Sequence, residues 1–231
     1  MLFACLDLTS LTAEDTDEKI IALCQRAGQG SNHVAALCCY PAFLKIAKPC
    51  LPANVALATV VNFPSGEAPL SQVLQEIDSA LKMGADEIDL VIPYQDVLQG
   101  DLASSIVMVK AAKARCGAHL LKVIIESGML QDPFLIESVS LAVLEAGADF
   151  IKTSTGKVPV GATADAVTAI LKALVQYREQ TGQLKGLKLS GGIKTRAQAE
   201  ALIQLVEAVF GKAYLQPRTF RIGSSNPDLC C

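Results

Sequence analysis

Four ionisable residues each interrupt an apolar run: Asp89 in Glu-Ile-Asp-Leu-Val-Ile, Lys122 in Leu-Leu-Lys-Val-Ile-Ile, Lys152 in Phe-Ile-Lys-Thr-Ser and Lys188 in Gly-Leu-Lys-Leu-Ser. Such runs read as strands of a parallel sheet covered on both faces. A buried ammonium group is costly unless it is paired or loses its proton. Three lysines and an aspartate at matching depth therefore point to a centre built on lysine chemistry. A lysine is a nucleophile only when neutral, and at its ordinary pKa about 0.04% is neutral at pH 7. Burial and a neighbouring ammonium push the pKa down; a fall of about three pH units raises the reactive fraction on the order of a thousandfold. The neutral amine attacks a carbonyl to form a Schiff base, whose iminium is an electron sink for the adjacent carbon–carbon bond. Asp89 and a second lysine suit the accompanying proton transfers. The competing reading is an ion network that fills the interior without chemistry. Against it, Asp89 alone cannot neutralise three ammonium groups.

The elements that must hold these residues alternate along the chain. Apolar runs at Leu2–Asp7, Val34–Tyr40, Val55–Phe63, Glu87–Ile92, Leu120–Glu126, Phe150–Ser154, Leu187–Ser190 and Arg221–Gly223 are separated by helical patterns. One helix carries Leu70, Val73, Leu74, Ile77 and Leu81 and stops at Gly84. Another opens on Asp132 as N-cap with Pro133 at the first turn and stops at Gly147, and a third carries Ala201, Leu202, Leu205 and Val209 and ends at Gly211. Gly84-Ala85-Asp86 recurs as Gly147-Ala148-Asp149, about two βα units further on. Alternating β and α elements predict a parallel sheet, and eight units fit a closed (β/α)8 TIM barrel within one domain spanning residues 1–231. No Gly-x-Gly-x-x-Gly follows the first strand, which disfavours a dinucleotide fold. Lys152 shares its strand face with Ser154, and Lys188 with Ser190. The four charged residues are thus expected to point into the barrel from the fourth to seventh strands.

Composition excludes several classes. The chain has 231 residues, is 51% hydrophobic, and carries 20 basic against 23 acidic residues for a net charge of −3. That balance gives no electrostatic case for a nucleic-acid partner. No segment offers the roughly 20 apolar residues of a spanning helix, and Asp7 follows the start too early for a signal peptide, so a soluble cytoplasmic protein with no membrane partner is expected. The eight cysteines show no Cys-x-x-Cys or Cys/His cluster, and neither a metal site nor a disulfide scaffold is expected. Cys230-Cys231 resembles the lipidated end of some GTPases, but the chain has no GTP-binding motif. The oligomeric state is not readable, and a homo-oligomer stays open.

Anion binding is expected at the ends of the last strands. Ser190-Gly191-Gly192 and Gly223-Ser224-Ser225 follow the seventh and eighth runs, the two loops that commonly form the phosphate site of barrels. Glycines let backbone N–H groups approach an anion, and hydroxyls add donors. Thr155-Gly156-Lys157 after the sixth run offers a cationic partner. His33 and His119 fall at strand starts, at the end that usually carries stability, so a histidine mechanism is not expected.

Taken together, these segments resemble the deoxyribose-phosphate aldolases, Schiff-base enzymes of class I. Phe-Ile-Lys-Thr-Ser-Thr-Gly-Lys (150–157) looks like the family's Schiff-base strand. Asp-Leu-Thr (7–9), Cys-Tyr-Pro (39–41), Asn-Phe-Pro (62–64), Gly-Ala-Asp-Glu-Ile-Asp (84–89), Leu-Lys-Val-Ile-Ile-Glu (121–126), Lys-x-Ser-Gly-Gly-Ile (188–193) and Gly-Ser-Ser (223–225) follow in family order. The resemblance implies Lys152 as nucleophile, Lys188 as the lysine that lowers its pKa, and Asp89 as the proton relay. It places Lys122, Asp7, Thr9, Cys38 and Thr155 in or beside the substrate pocket, and Gly156, Lys157, Gly191, Gly192, Gly223, Ser224 and Ser225 around the phosphate. The implied reaction is reversible cleavage of 2-deoxy-D-ribose 5-phosphate to glyceraldehyde 3-phosphate and acetaldehyde, in deoxyribose phosphate catabolism, without metal or organic cofactor. Leu189 and Ser190 stand where members often have Pro-Ala, and the helix after the eighth strand is expected to be truncated or absent. Another Schiff-base aldolase of the same barrel class, or a sugar-phosphate binder without turnover, is the alternative.

Overall fold

The computed structural model describes residues 2–29 and 32–226. Eight parallel strands close into a barrel: β1 (Leu6–Thr9), β2 (Ala36–Cys39), β3 (Ala56–Val61), β4 (Glu87–Val91), β5 (Leu120–Ile124), β6 (Phe150–Lys152), β7 (Gly186–Ser190) and β8 (Phe220–Ser224). Each pairs with its neighbours in sequence, and β8 closes onto β1. This is the (β/α)8 architecture expected. The connections carry α1 (Asp17–Ala27), α2 (Leu44–Cys50), α3 (Leu70–Lys82), α4 (Tyr94–Leu98), α5 (Ala103–Cys116), α6 (Ser127–Leu130), α7 (Pro133–Glu145), α8 (Ala164–Thr181) and α9 (Arg196–Phe210). Among the described residues no helix is long and apolar enough to cross a membrane. The expected truncated terminal helix and Cys230-Cys231 fall on residues 227–231, outside the described residues.

The helix signals in the sequence act as expected. Asp132 caps α7 by accepting from the Phe134 N–H, with Pro133 in the first turn. Thr163 caps α8, Thr195 and Gln198 form a capping box on α9, and Gly211 ends α9. One expectation is corrected at the start of the chain. Leu2–Cys5 is a 3-10 turn, and the strand begins only at Leu6. An apolar run alone does not separate a short buried turn from a strand.

The Gly-Ala-Asp repeat has a structural cause. Asp86 and Asp149 each follow a helix that ends at a glycine with positive φ, Gly84 (95°) and Gly147 (110°). The Asp86 N–H donates to the Leu57 carbonyl at 2.7 Å, and its carboxylate accepts the Leu57 N–H at 2.8 Å. Asp149 does the same to Leu121, at 2.9 Å in both bonds. Each aspartate thus clamps a returning chain onto the strand before it, satisfying two backbone groups at a strand start.

Pairing register sorts the side chains. Asp89 is opposite both Val60 and Lys122, Lys152 is opposite Lys188, and Lys188 is opposite Arg221. These residues, with Asp7, Ala36, Cys38, Ala58, Glu87, Phe150 and Gly186, share the inner face. The outer face packs against the helices as one apolar core. Inside, bulk is unevenly distributed. Strands β2 and β3 present the small residues Ala36, Cys38 and Ala58, whereas β5 to β8 present long basic side chains that reach across the space so left.

Phe150 fills the lower interior, with the Arg221 guanidinium 5.7 Å from its ring centre. Gly186 opposite it has no room for a side chain, since a Cβ there would lie 2.3 Å from the ring. Gly186→Ala should therefore destabilise the barrel by about 1–3 kcal/mol, read as a lowered urea midpoint at unchanged slope. Combining it with Phe150→Leu should cost less than the sum of the two changes; an additive result would show that the ring is not what excludes the methyl group.

Candidate active site

At the centre of the barrel lies a buried ion cluster. Lys122, Lys152, Lys188 and Arg221 meet Asp7, Glu87 and Asp89, all of them at most 4% exposed. Lys122 Nζ lies 2.5 Å from Glu87, 2.8 Å from Asp89 and 3.6 Å from Asp7. Lys188 Nζ sits between Asp7 at 2.5 Å and Asp89 at 2.7 Å. Arg221 reaches Asp7 at 2.6 Å and Glu87 at 2.9 Å. Lys152 has a single carboxylate partner among the described residues, Asp89 Oδ2 at 2.8 Å, and shares that oxygen with Lys188.

The reading that Asp89 alone faces three ammonium groups is therefore corrected: Asp7 and Glu87 share the load, and Arg221 adds a fourth cation. Four cations against three carboxylates leave one positive charge in excess. Lys152 is where that excess is felt. Burial lowers its ammonium pKa below the usual range; Asp89 works against the shift, and Lys188 works with it. Burial would lower Lys188 and Lys122 too, but Asp7 and Asp89 carry Lys188 above its ordinary value, and Asp89, Glu87 and Asp7 do so for Lys122. Burial alone would raise Asp89, yet Lys122, Lys152 and Lys188 hold its carboxyl well below the usual range. The cluster is neutral when Lys152 is the amine that has lost its proton.

The remaining expected residues divide between the interior and the rim. Cys38 is fully buried beside the cluster, and burial keeps its thiol protonated. Thr9 donates from its hydroxyl to the Asp7 carbonyl at 2.8 Å. Gly223 lies under the cluster's edge, where a Cβ would come within 3.3 Å of Lys188 Cε, so its backbone makes room for that lysine. Gly156, Lys157, Gly192 and Ser225 are exposed, and Gly191 and Ser224 half-buried, where β6, β7 and β8 end. Gly191 packs on Gly156 and Gly161 so closely that a Cβ would lie 3.4 and 3.2 Å from their Cα atoms, and its carbonyl accepts the Ala162 N–H at 3.0 Å. The Lys157 ammonium donates to the Leu11 carbonyl. Three connections thus meet in one rim above the cluster.

Thr155 is buried just beyond the end of β6; its hydroxyl donates to Glu126 and accepts from the Lys157 N–H at 3.0 Å. The sequence reading assigned no role to Glu87, Arg221 or Glu126. Glu87 shares strand parity with Asp89, a signal that could have found it. His33 and His119 precede β2 and β5, away from the cluster's open end. Among the described residues no group of three histidine, cysteine or carboxylate side chains is placed to hold a metal ion.

Comparison with known proteins bears on the fold and the family. A candidate deoxyribose-phosphate aldolase from Toxoplasma gondii ME49 is 27% identical over 99% of this chain and 90% of its own, with a TM-score of 0.90. One from Coccidioides immitis is 25% identical over 97% of this chain and 83% of its own, at 0.83. The deoxyribose phosphate aldolase of Aeropyrum pernix, a tetrameric structure, is 24% identical over 99% and 88%, at 0.78, and shares the fold. Residues 1–213 match the family described as DeoC/LacD family aldolase. A barrel whose interior lysine is left as the one unbalanced charge, and which matches that family along nearly its whole length, makes this chain an aldolase of the DeoC/LacD family.

Proposed function

We propose that this aldolase works by class I chemistry, with Lys152 as the Schiff-base nucleophile and 2-deoxy-D-ribose 5-phosphate as substrate. The observation that carries the reading is the poverty of Lys152 in partners: one carboxylate oxygen, shared with Lys188, in a cluster holding one cation too many. The neutral amine adds to the C1 aldehyde and, after loss of water, forms an iminium. A base then takes the C3 hydroxyl proton as the C2–C3 bond breaks. The bonding pair moves into the iminium to give an enamine, and C3 leaves as the aldehyde of glyceraldehyde 3-phosphate. Protonation of the enamine at its terminal carbon and addition of water release acetaldehyde and restore the amine.

Asp89 and Lys188 lie beside Lys152 and are the groups within reach for its proton transfers. The low pKa of Asp89 keeps it ionised in the resting site, so it holds no proton to give until the charge around it changes. The phosphate is taken by the rim of Gly156, Lys157, Gly191, Gly192, Ser224 and Ser225, whose glycines and hydroxyls suit an anion. A cytoplasmic setting suits these sugar-phosphate substrates.

Borohydride reduction in the presence of acetaldehyde should fix the donor carbon on the peptide containing Lys152. Label on Lys122 or Lys188 instead would sink the assignment, and trapping of a keto acid but not acetaldehyde would move the substrate to another aldolase class. Lys152→Ala should abolish turnover while the fold survives, because Lys122, Lys188 and Arg221 still balance the three carboxylates; circular dichroism and a urea titration check the second half.

Lys188→Met removes the ammonium that repels the Lys152 charge and also leaves Asp89 free to hold Lys152 protonated. Asp7 keeps Arg221, so no carboxylate is orphaned. The pH at which the enzyme becomes active should rise by about two pH units, and the neutral-pH rate should fall roughly a hundredfold and partly recover in alkali. A pH–rate profile that does not move removes Lys188 from the activating role. At the rim, Lys157→Ala should raise KM more than it lowers kcat, since phosphate contacts are made equally in ground and transition states. Collapse of kcat at constant KM would place Lys157 in the chemistry.

A further inference from the structure

The chemistry above leaves one fully buried carboxylate idle. Glu126 is 0% exposed and sits just beyond the end of β5, in the left-handed backbone region at φ 49° and ψ 58°. A non-glycine residue held there implies that its surroundings fix it. Its two oxygens each accept from the Thr155 N–H at 3.3 Å, and one also accepts from the Thr155 hydroxyl. Burial pushes the carboxyl above its ordinary range, while the two Thr155 donors and the charge of Lys152 work the other way.

The consequence passes up the chain. With its hydrogen committed to Glu126, the Thr155 hydroxyl turns a lone pair toward the Lys157 N–H. Gly156 between them is at φ 77°, so the segment turns sharply at the rim. The same connection presses on this loop again at Gly128, where a Cβ would fall 1.9 Å from the Val160 carbonyl oxygen. From the opposite side the loop meets Gly191 through Gly156, Gly161 and the Ala162 N–H. The segment from Thr155 to Ala162 is therefore clamped between the connection after β5 and the loop after β7.

We infer that Glu126 is a positioning residue for anion binding: acting through Thr155, it holds Gly156 and Lys157 in the arrangement that grips the substrate phosphate. The inference rests on the phosphate reading of the rim proposed above. Glu126 hydrogen-bonds neither Gly156 nor Lys157, so its route to the rim runs through the N–H and hydroxyl of Thr155, although its charge and that of Lys152 act on each other. Without its carboxylate the buried Thr155 N–H and hydroxyl lose their acceptor, and the loop must move to satisfy them. Lys152 is fixed by β6 and by Asp89, outside that movement.

The test compares 2-deoxyribose 5-phosphate with unphosphorylated 2-deoxyribose as substrates for Glu126→Ala, Glu126→Gln and Thr155→Val. The preference in kcat/KM for the phosphorylated sugar should fall on the order of tenfold or more in Glu126→Ala, mostly through KM, with inorganic phosphate becoming a weaker competitive inhibitor in parallel. Glu126→Gln keeps one carbonyl acceptor and should fall less. Glu126→Ala combined with Thr155→Val should be little worse than either change alone, because both break one link. If Glu126→Ala does not fold, Glu126→Gln and Thr155→Val still carry the comparison. Equal losses with both sugars, an unchanged phosphate preference, or additive effects in the pair would overturn the role of Glu126 and leave the aldolase reading standing. Absence of any preference for the phosphorylated sugar in the unsubstituted protein would overturn the phosphate reading, and the role of Glu126 with it.

Discussion

The ion pairs that Asp7, Glu87 and Asp89 make with four buried cations set the terms for everything above them. Removing an ion from water costs several kcal/mol even after relaxation, and a partner charge repays that only when the geometry is close. Here Lys122, Lys188 and Arg221 each reach at least two carboxylates. Lys152 reaches one oxygen, already engaged by Lys188. The excess charge cannot be shared out evenly, and it settles on the member with least to lose by giving up its proton. On the reading that Lys152 is the nucleophile, its reactivity is a property of the whole cluster rather than of one neighbouring lysine.

A barrel is well suited to impose such an arrangement. Parallel strands in fixed register place Lys152 level with Lys188, Lys188 level with Arg221, and Asp89 level with Lys122. The small residues Ala36, Cys38 and Ala58 on the opposite wall leave the room that four long basic side chains need. The price in a structure without that space would be over-packing. Strand ends then divide the labour: the strands hold the charged layer, and the connections after β6 and β7 meet at the rim through glycines that allow backbone to touch backbone.

Much of this was legible in the chain, for identifiable reasons. A lysine or aspartate inside an apolar run has few readings, so Asp89, Lys122, Lys152 and Lys188 stand out, and period-two alternation sends them to one face. The helix caps at Asp132 and Gly211 were readable because cap chemistry is local. Glu87 carried only its parity with Asp89 and Arg221 no signal at all, because both sit at strand starts, where a charged residue normally meets solvent. What buries them is closure of the barrel, a long-range fact. Glu126 was hidden for a related reason. Its partner Thr155 lies on another strand connection, and nothing local signals that a carboxylate at a strand end will fold inward through a left-handed turn. The turn at Leu2–Cys5 was missed because apolar composition does not by itself distinguish a short turn from a strand.

The charge imbalance also bears on the step after the nucleophile has reacted, on the reading that Lys152 forms the Schiff base. Addition to an aldehyde starts from the neutral amine, the form the cluster favours. The iminium that follows restores the fourth cation and with it the excess charge. Asp89 lies ready to offset part of it, but that carboxylate is also engaged by Lys122 and Lys188. The iminium therefore pulls hard on the electrons of the neighbouring carbon–carbon bond, and breaking that bond yields an enamine that is again neutral. Amine and enamine are themselves neutral, and the buried charges balance again after bond cleavage once the proton taken from the C3 hydroxyl has passed out of the cluster. A cluster with one more carboxylate would hold Lys152 protonated and calm the iminium; one with a cation fewer would do the same. Four against three, in a buried layer, favours a neutral nitrogen at Lys152 on both sides of bond cleavage, so the feature that would make Lys152 nucleophilic would also make its Schiff base a strong electron sink.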